Sequence, residues 1–214
     1  MPTTQPICIS QQEPVRRLLL GAALNLIAAR GLSTLSIDDI TREAGLNADA
    51  FYMHFSSKTV MFVDLLVHLG NEAFAELEPI CAASEDTTPW REQILTLFHT
   101  LRRHRLCMLC WTEAKLLAAR DEGFRHWFTT FSQHAATRVT EALSNICALT
   151  GRKTLAPPEV VALGLMRLTE GIQLSQLAGE GGNTVLAEQL VLRFMDGMTC
   201  NDTGAQGAQR FRDL

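Results

Sequence analysis

Between Ser36 and Phe55 the chain places a capping serine, the apolar set Ile37, Ile40 and Ala44, a glycine at 45, a second cap at Asn47 and the pair Phe51 and Phe55 in immediate succession. Ser36 suits a helix N-cap, and Asp38 and Asp39 fall in the first turn, where carboxylates complement the helix dipole. The spacing predicts a short helix closed at Gly45, where the turn needs a positive φ that residues with a Cβ adopt only at a cost. Asn47 then caps a second short helix, with Phe51 and Phe55 turned inward at a spacing of four. Ile40, Ala44, Leu46 and Phe51 hold the two helices at a fixed angle, which is the arrangement of a helix-turn-helix.

Helical spacing extends in both directions. Upstream, Val15, Leu19, Ala22, Ala23, Leu26 and Ile27 share one face of a helix expected over 14–30, preceded by a loose arm at 1–13. Downstream, Ser57 caps a fourth helix running from Lys58 to about Ala82, and the segment 84–89 is the clearest break. Trp90–Arg103, Leu106–Ala119, Glu122–Thr150, Pro158–Leu177 and Thr184–Met198 read as further helices, and 199–214 as a frayed tail. No alternating run argues for a sheet. The expectation is an all-α chain. An N-terminal three-helix domain over 14–57 is joined by helix 4 to a larger helical domain over 58–198.

Composition narrows the class. The chain has 214 residues, 47% of them hydrophobic, enough for a substantial core, and a formal charge of −4. That charge leaves no basic footprint of the kind phosphate contact usually requires, so a DNA-binding reading rests on motif. No run is long and apolar enough for a membrane span, and no export signal opens the sequence, so the expected location is cytoplasmic, with no membrane partner. The six cysteines are scattered and read as reduced core residues.

From Arg16 to Phe62 the sequence resembles the N-terminal signature of the TetR family. The matching elements are AALNLIAARG, SIDDI, Ala44–Gly45, FYMHF at 51–55 and SKTVMF at 57–62. The resemblance implies a dimeric, DNA-binding transcriptional repressor that binds a palindromic double-stranded operator and is released by a small-molecule effector. Ser36 and Lys58 are expected to meet phosphates, as are Tyr52 and His54, with Arg16 and Arg42 adding charge. Ser36 and Ser57 are equally well explained as plain caps.

Ala48, Asp49, Ala50 and Met53 stand where base edges are read. They carry little hydrogen-bonding capacity, and Asp49 replaces the family's usual glycine. Small apolar groups suit thymine methyls, Asp49 suits a cytosine amino group, and recognition leans on methyl contacts and DNA shape. Asp49 also suits a helix N-terminus in any protein.

In the larger domain the apolar faces of the last two long helices, through Leu165, Leu168, Ile172, Leu186, Leu190 and Phe194, fit a homodimer interface. Gly164 and Gly171 would permit close helix approach. Phe98, Cys107, Cys110, Trp111, Trp127 and Phe131 are the expected lining of a pocket for a largely apolar or aromatic effector, although each such aromatic, taken alone, is more often core than pocket. Cys107 and Cys110, one turn apart, leave a thiol sensor open. A reader that binds a protein partner instead of DNA also stays open. No metal-ligand spacing, phosphate loop or nucleophile motif is present, so no catalysis, metal or cofactor is expected.

Overall fold

The computed structural model describes residues 9–85, 87–102, 105–180 and 183–201, with side chains from residue 13. Its helices are α1 (Ile9–Arg30), α2 (Ile37–Glu43), α3 (Ala48–Tyr52), α4 (Lys58–Ala82), α5 (Trp90–Leu101), α6 (Arg105–Arg120), α7 (Glu122–Leu149), α8 (Pro158–Leu177) and α9 (Thr184–Met198). A 3-10 turn at Leu32–Thr34 links α1 to α2. The all-helical expectation holds, and α8 and α9 begin and end where the sequence places them. No described helix is long and apolar enough to cross a membrane.

Three boundaries differ from expectation. Helix α1 begins at Ile9, ahead of Pro14, so the arm expected over 1–13 is partly helical. Pro14 lacks the N–H that would bond one turn back, and a missing bond costs a helix less near its start than in its middle. Residues 199–201 belong to no tail: Thr199–Asn201 (β2) pairs antiparallel with Arg152–Thr154 (β1), matching Arg152 with Asn201 and Thr154 with Thr199. Arg152 reinforces the ribbon by donating to the Thr199 hydroxyl at 3.0 Å and to the Asn201 side chain at 3.2 Å, and its guanidinium lies 4.7 Å from the centre of the Trp90 ring. A ribbon of three-residue strands is too short to register as alternation in the sequence.

The third difference concerns domains. The chain divides into two compact units, one holding residues up to 69 together with α6, the other holding residues 70–102 and 122–201. Expected as a linear cut after residue 57, the first unit instead recruits the start of α4 and all of α6. In that unit α6 packs against α1. Leu19, Ala23, Ile27, Ile40, Phe51, Met61, Phe62 and Leu65 are buried there, with Met108, Cys110 and Ala114 from α6. Full burial of an aromatic such as Phe51 is worth roughly 1.5–3 kcal/mol.

The second unit buries Leu77, Ile94, Leu97, Phe98, Val139, Leu143, Ile146, Val161, Leu165, Val191 and Met195 in one cluster. Gly164 serves close packing within it, since a Cβ there would lie 2.6 Å from Cζ of Phe194 on α9. Gly171 faces open space and makes no such approach.

Candidate nucleic-acid interface and sensor cavity

The helix-turn-helix forms as its caps dictate. The Ser36 hydroxyl accepts from the Asp39 N–H at 3.1 Å, and the Asp39 carboxylate accepts in return from the Ser36 N–H at 3.0 Å, a complete capping box. These bonds to Ser36 hold the Asp39 carboxyl below the usual carboxylate range, with the Arg42 and Arg30 guanidinia adding a smaller pull. Gly45 takes φ +69°, and the Leu46 N–H then reaches the Thr41 carbonyl at 2.8 Å. Asn47 accepts from the Ala50 N–H at 2.9 Å, starting α3.

Phe51 and Phe55 are buried and pack together, with ring centres 5.5 Å apart. They fix what faces outward. Tyr52 and Met53 are more than half exposed, at 59% and 52%. The Tyr52 ring stands edge-on to Phe51 at 5.6 Å. Asp49 is exposed, and Ala48, Ala50 and His54 are half-buried. The reading residues expected from sequence therefore lie together on α3 and the turn that follows it.

Two of the expected cations are engaged inside the unit. Lys58 Nζ donates to the carbonyls of Leu32 at 2.9 Å and Leu35 at 2.7 Å, tying the start of α4 to the turn before α2. The structure thus gives Lys58 a structural use beside the phosphate contact expected of it. The four-carbon stem that suits a lysine to phosphate suits it equally to loop carbonyls, and sequence does not separate the two. Arg16 pairs with Asp64 on α4 and lies 3.6 Å from Glu13. Arg42 bonds to Asp39 at 3.4 Å with 76% of its side chain exposed, so that pair is a weak surface contact.

Sequence reasoning missed Glu113. From α6 its carboxylate accepts from the Leu32 N–H at 3.2 Å, so the Leu32 peptide groups are held from α6 on one side and by Lys58 on the other. Nothing local to Glu113 signals this, because its partner is 81 residues away.

In the second unit a small cavity of about 30 Å³, partly open to solvent, is lined by Ala73, Phe74, Leu77, Thr100, Leu101, Ala135, Val139 and Met166. The six residues expected to line a pocket do not line this one. Cys107, Cys110 and Trp111 lie on α6 in the first unit, and Phe98 is fully buried in the second unit's core. Trp127 and Phe131 stack at 5.1 Å on α7, and Phe131 lies 6.5 Å from the lining residue Phe74. Aromatic content marks burial, and it does not say which core a helix joins.

The expected interface residues also separate. Leu165 is fully buried within the unit, and Leu168, Ile172 and Phe194 pack against its core. Leu186 and Leu190 are exposed, joined on the surface by Val160, Leu163, Leu174 and Val185. Helix α8 carries apolar residues on both its buried face (Leu165) and its exposed face (Val160, Leu163, Leu174), so its pattern does not distinguish an inner from an outer stripe.

Burial pushes the Cys110 thiol up to about 12, with Cys107 and Glu113 adding smaller effects in the same direction. A thiol so poised is not a nucleophile at neutral pH. No cluster of metal-ligating side chains occurs among the described residues.

Residues 19–65 match the family described as bacterial regulatory proteins, tetR family. The regulator EthR of Mycobacterium tuberculosis is 32% identical over 90 residues, which is 41% of this chain and 42% of EthR. The match thus spans less than half of that relative. Among solved structures, a protein from Saccharomonospora viridis in complex with choline superposes with a TM-score of 0.72 at 19% identity, covering 86% of this chain and 96% of that one. SmeT of Stenotrophomonas maltophilia in complex with triclosan superposes with a TM-score of 0.65 at 19% identity, covering 84% and 90%. At such identities the superpositions speak for the fold, and the motif at 19–65 speaks for the reader. Residues 19–65 thus carry the N-terminal domain of the tetR family of bacterial regulatory proteins, in a chain that shares its fold with the solved structures above.

Proposed function

We propose that the protein is a ligand-responsive repressor that binds a palindromic operator as a homodimer and is released by a small, largely apolar effector. The observation that carries this reading is the capped helix-turn-helix, with Phe51 and Phe55 buried beneath an outward Tyr52, Met53 and His54. Such a helix enters a major groove, and a two-fold dimer reads two half-sites about one helical turn apart. DNA contact in this reading comes from Tyr52 and His54 at phosphates, from Ala48, Asp49, Ala50 and Met53 at base edges, and from exposed Arg42.

The dimer contact proposed is the exposed apolar stripe of α8 and α9 through Val160, Leu163, Leu174, Val185, Leu186 and Leu190. The effector site proposed is the cavity around Phe74, where Thr100 supplies the only hydroxyl among the lining side chains and no charged side chain lines the wall. An uncharged, mostly hydrocarbon molecule suits that lining. Helix α4 supplies both Lys58 of the reader and three residues of the cavity wall, Ala73, Phe74 and Leu77. An effector that favours one position of α4 thereby changes operator affinity, to the extent that it binds the two states unequally.

The test is selection of duplexes from a random pool by the purified full chain, followed by gel shift of the winners with and without apolar candidate effectors. Enrichment of a palindrome bound by a dimer supports the reading. Failure to enrich any sequence at low salt overturns it.

A further inference from the structure

Resting on the DNA-reader interpretation just given, we propose that Met53 is the principal specificity residue and that it recognises the 5-methyl group of thymine in each operator half-site. Three observations lead there. First, Met53 is held in a defined place while its side chain projects. Its backbone N–H bonds to the Asp49 carbonyl at 3.0 Å, its φ and ψ are −68° and −23°, and its side chain is still 52% exposed.

Second, the outward neighbours compete poorly for the base edge. Ala48 and Ala50 are half-buried and end at Cβ, and the Tyr52 ring leans on Phe51. Asp49, one turn before Met53, has acceptors only. Third, Lys58 and Arg16, two cations that would otherwise bring donors to the reader, are spent on Leu32, Leu35 and Asp64. The guanine edge offers acceptors in the major groove, and a surface with this composition answers it badly.

Tyr52 and His54 are given to phosphates in this reading, and Arg42 lies on α2 rather than α3. What α3 and its turn leave for the base edge is an unbranched thioether with no donor and three rotatable bonds, a side chain that moulds to a small apolar bump. In the major groove the thymine methyl is the one apolar feature that distinguishes a base pair. A buried methyl-sized group is worth ~0.8 kcal/mol, or about fourfold in affinity, and one in each half-site gives about fifteenfold.

The experiment takes a duplex selected by the full chain from a random pool and resynthesises it with single deoxyuridine-for-thymidine replacements at symmetric positions, which remove the methyl and leave the pairing intact. One symmetric pair of replacements is expected to weaken binding by at least about tenfold while the others change it less than about twofold. Met53→Gln, at an exposed site, is expected to abolish that difference while leaving thermal stability unchanged, and Met53→Leu to keep it. Equal binding of every uracil-substituted duplex overturns the proposal, as does undiminished discrimination in Met53→Gln. Binding of no duplex at all would instead sink the reader interpretation itself.

Discussion

Lys58 Nζ lies 2.7 Å from the Leu35 carbonyl and 2.9 Å from that of Leu32, so the ammonium at the head of α4 closes the turn that leads into α2. The carbonyl oxygens meet a full positive charge, and charge-assisted hydrogen bonds are the stronger kind. Ser36, the first residue of the capping box, directly follows Leu35, so this contact sets where the helix-turn-helix begins.

Replacing Lys58 with Gln is therefore expected to lower the unfolding free energy by roughly 1–3 kcal/mol, since bonds to charged groups contribute about that much. A lysine bound to phosphate would behave differently. Its loss would reduce the slope of log K against log salt by about 0.9 for each reader. Denaturation should show the stability loss, and a salt titration of operator binding should show an unchanged slope. A full drop in slope without loss of stability would return Lys58 to the DNA.

Asp49 stands exposed in the first turn of α3. Its carboxylate complements the helix dipole and repels nearby phosphate. Asp49→Asn keeps the shape and removes the charge. Operator affinity is expected to rise several-fold at low salt, with the gain shrinking as the Debye length falls from ~30 Å at 0.01 M to ~8 Å at 0.15 M. Fluorescence anisotropy at two ionic strengths measures both parts, and an affinity that falls on substitution would make Asp49 a base reader.

The reader was largely legible in the sequence because its determinants are local. Ser36, Asn47, Gly45 and the pair Phe51 and Phe55 act on neighbours within a few positions, and each does what its spacing predicts. What stayed hidden depends on distant partners. Glu113 meets Leu32 across the chain, Arg152 pairs with Thr199 across two helices, and Lys58 has its nearest use on a carbonyl 23 residues back. For Trp111 and Phe98 the periodicity announces burial correctly, but it does not announce that the two are buried in separate units.

Helix α8 illustrates the same limit and supplies a paired test. Leu165 is fully buried in its own unit, whereas Leu190 on α9 is 46% exposed. Leu165→Ala is expected to cost roughly 2–5 kcal/mol in stability through the cavity it leaves. Leu190→Glu should leave the protomer folded and place a charge in an apolar contact between copies. Light scattering after size exclusion should then report a monomer with unchanged helical circular dichroism. A Leu190→Glu protein that remains dimeric at micromolar concentration would move the interface elsewhere.

Cys110 decides between a redox sensor and a packed thiol. It is fully buried, and burial pushes its thiol from 9.0 up to about 12. Since the folded value is the higher one, folding favours the protonated form. Stability is accordingly flat below pH 9 and falls as pH rises from 9 toward 12, where the unfolded chain ionises first. Cys147, pushed to about 11 by burial, adds to the same alkaline slope. Cys110→Ala should reduce that slope in denaturation curves collected across the range. Iodoacetamide applied to the native protein at pH 8 should leave Cys110 unmodified in peptide mass analysis and modify it once the chain is unfolded. Rapid native labelling at that pH, together with loss of operator binding on oxidation, would restore the thiol-sensing reading.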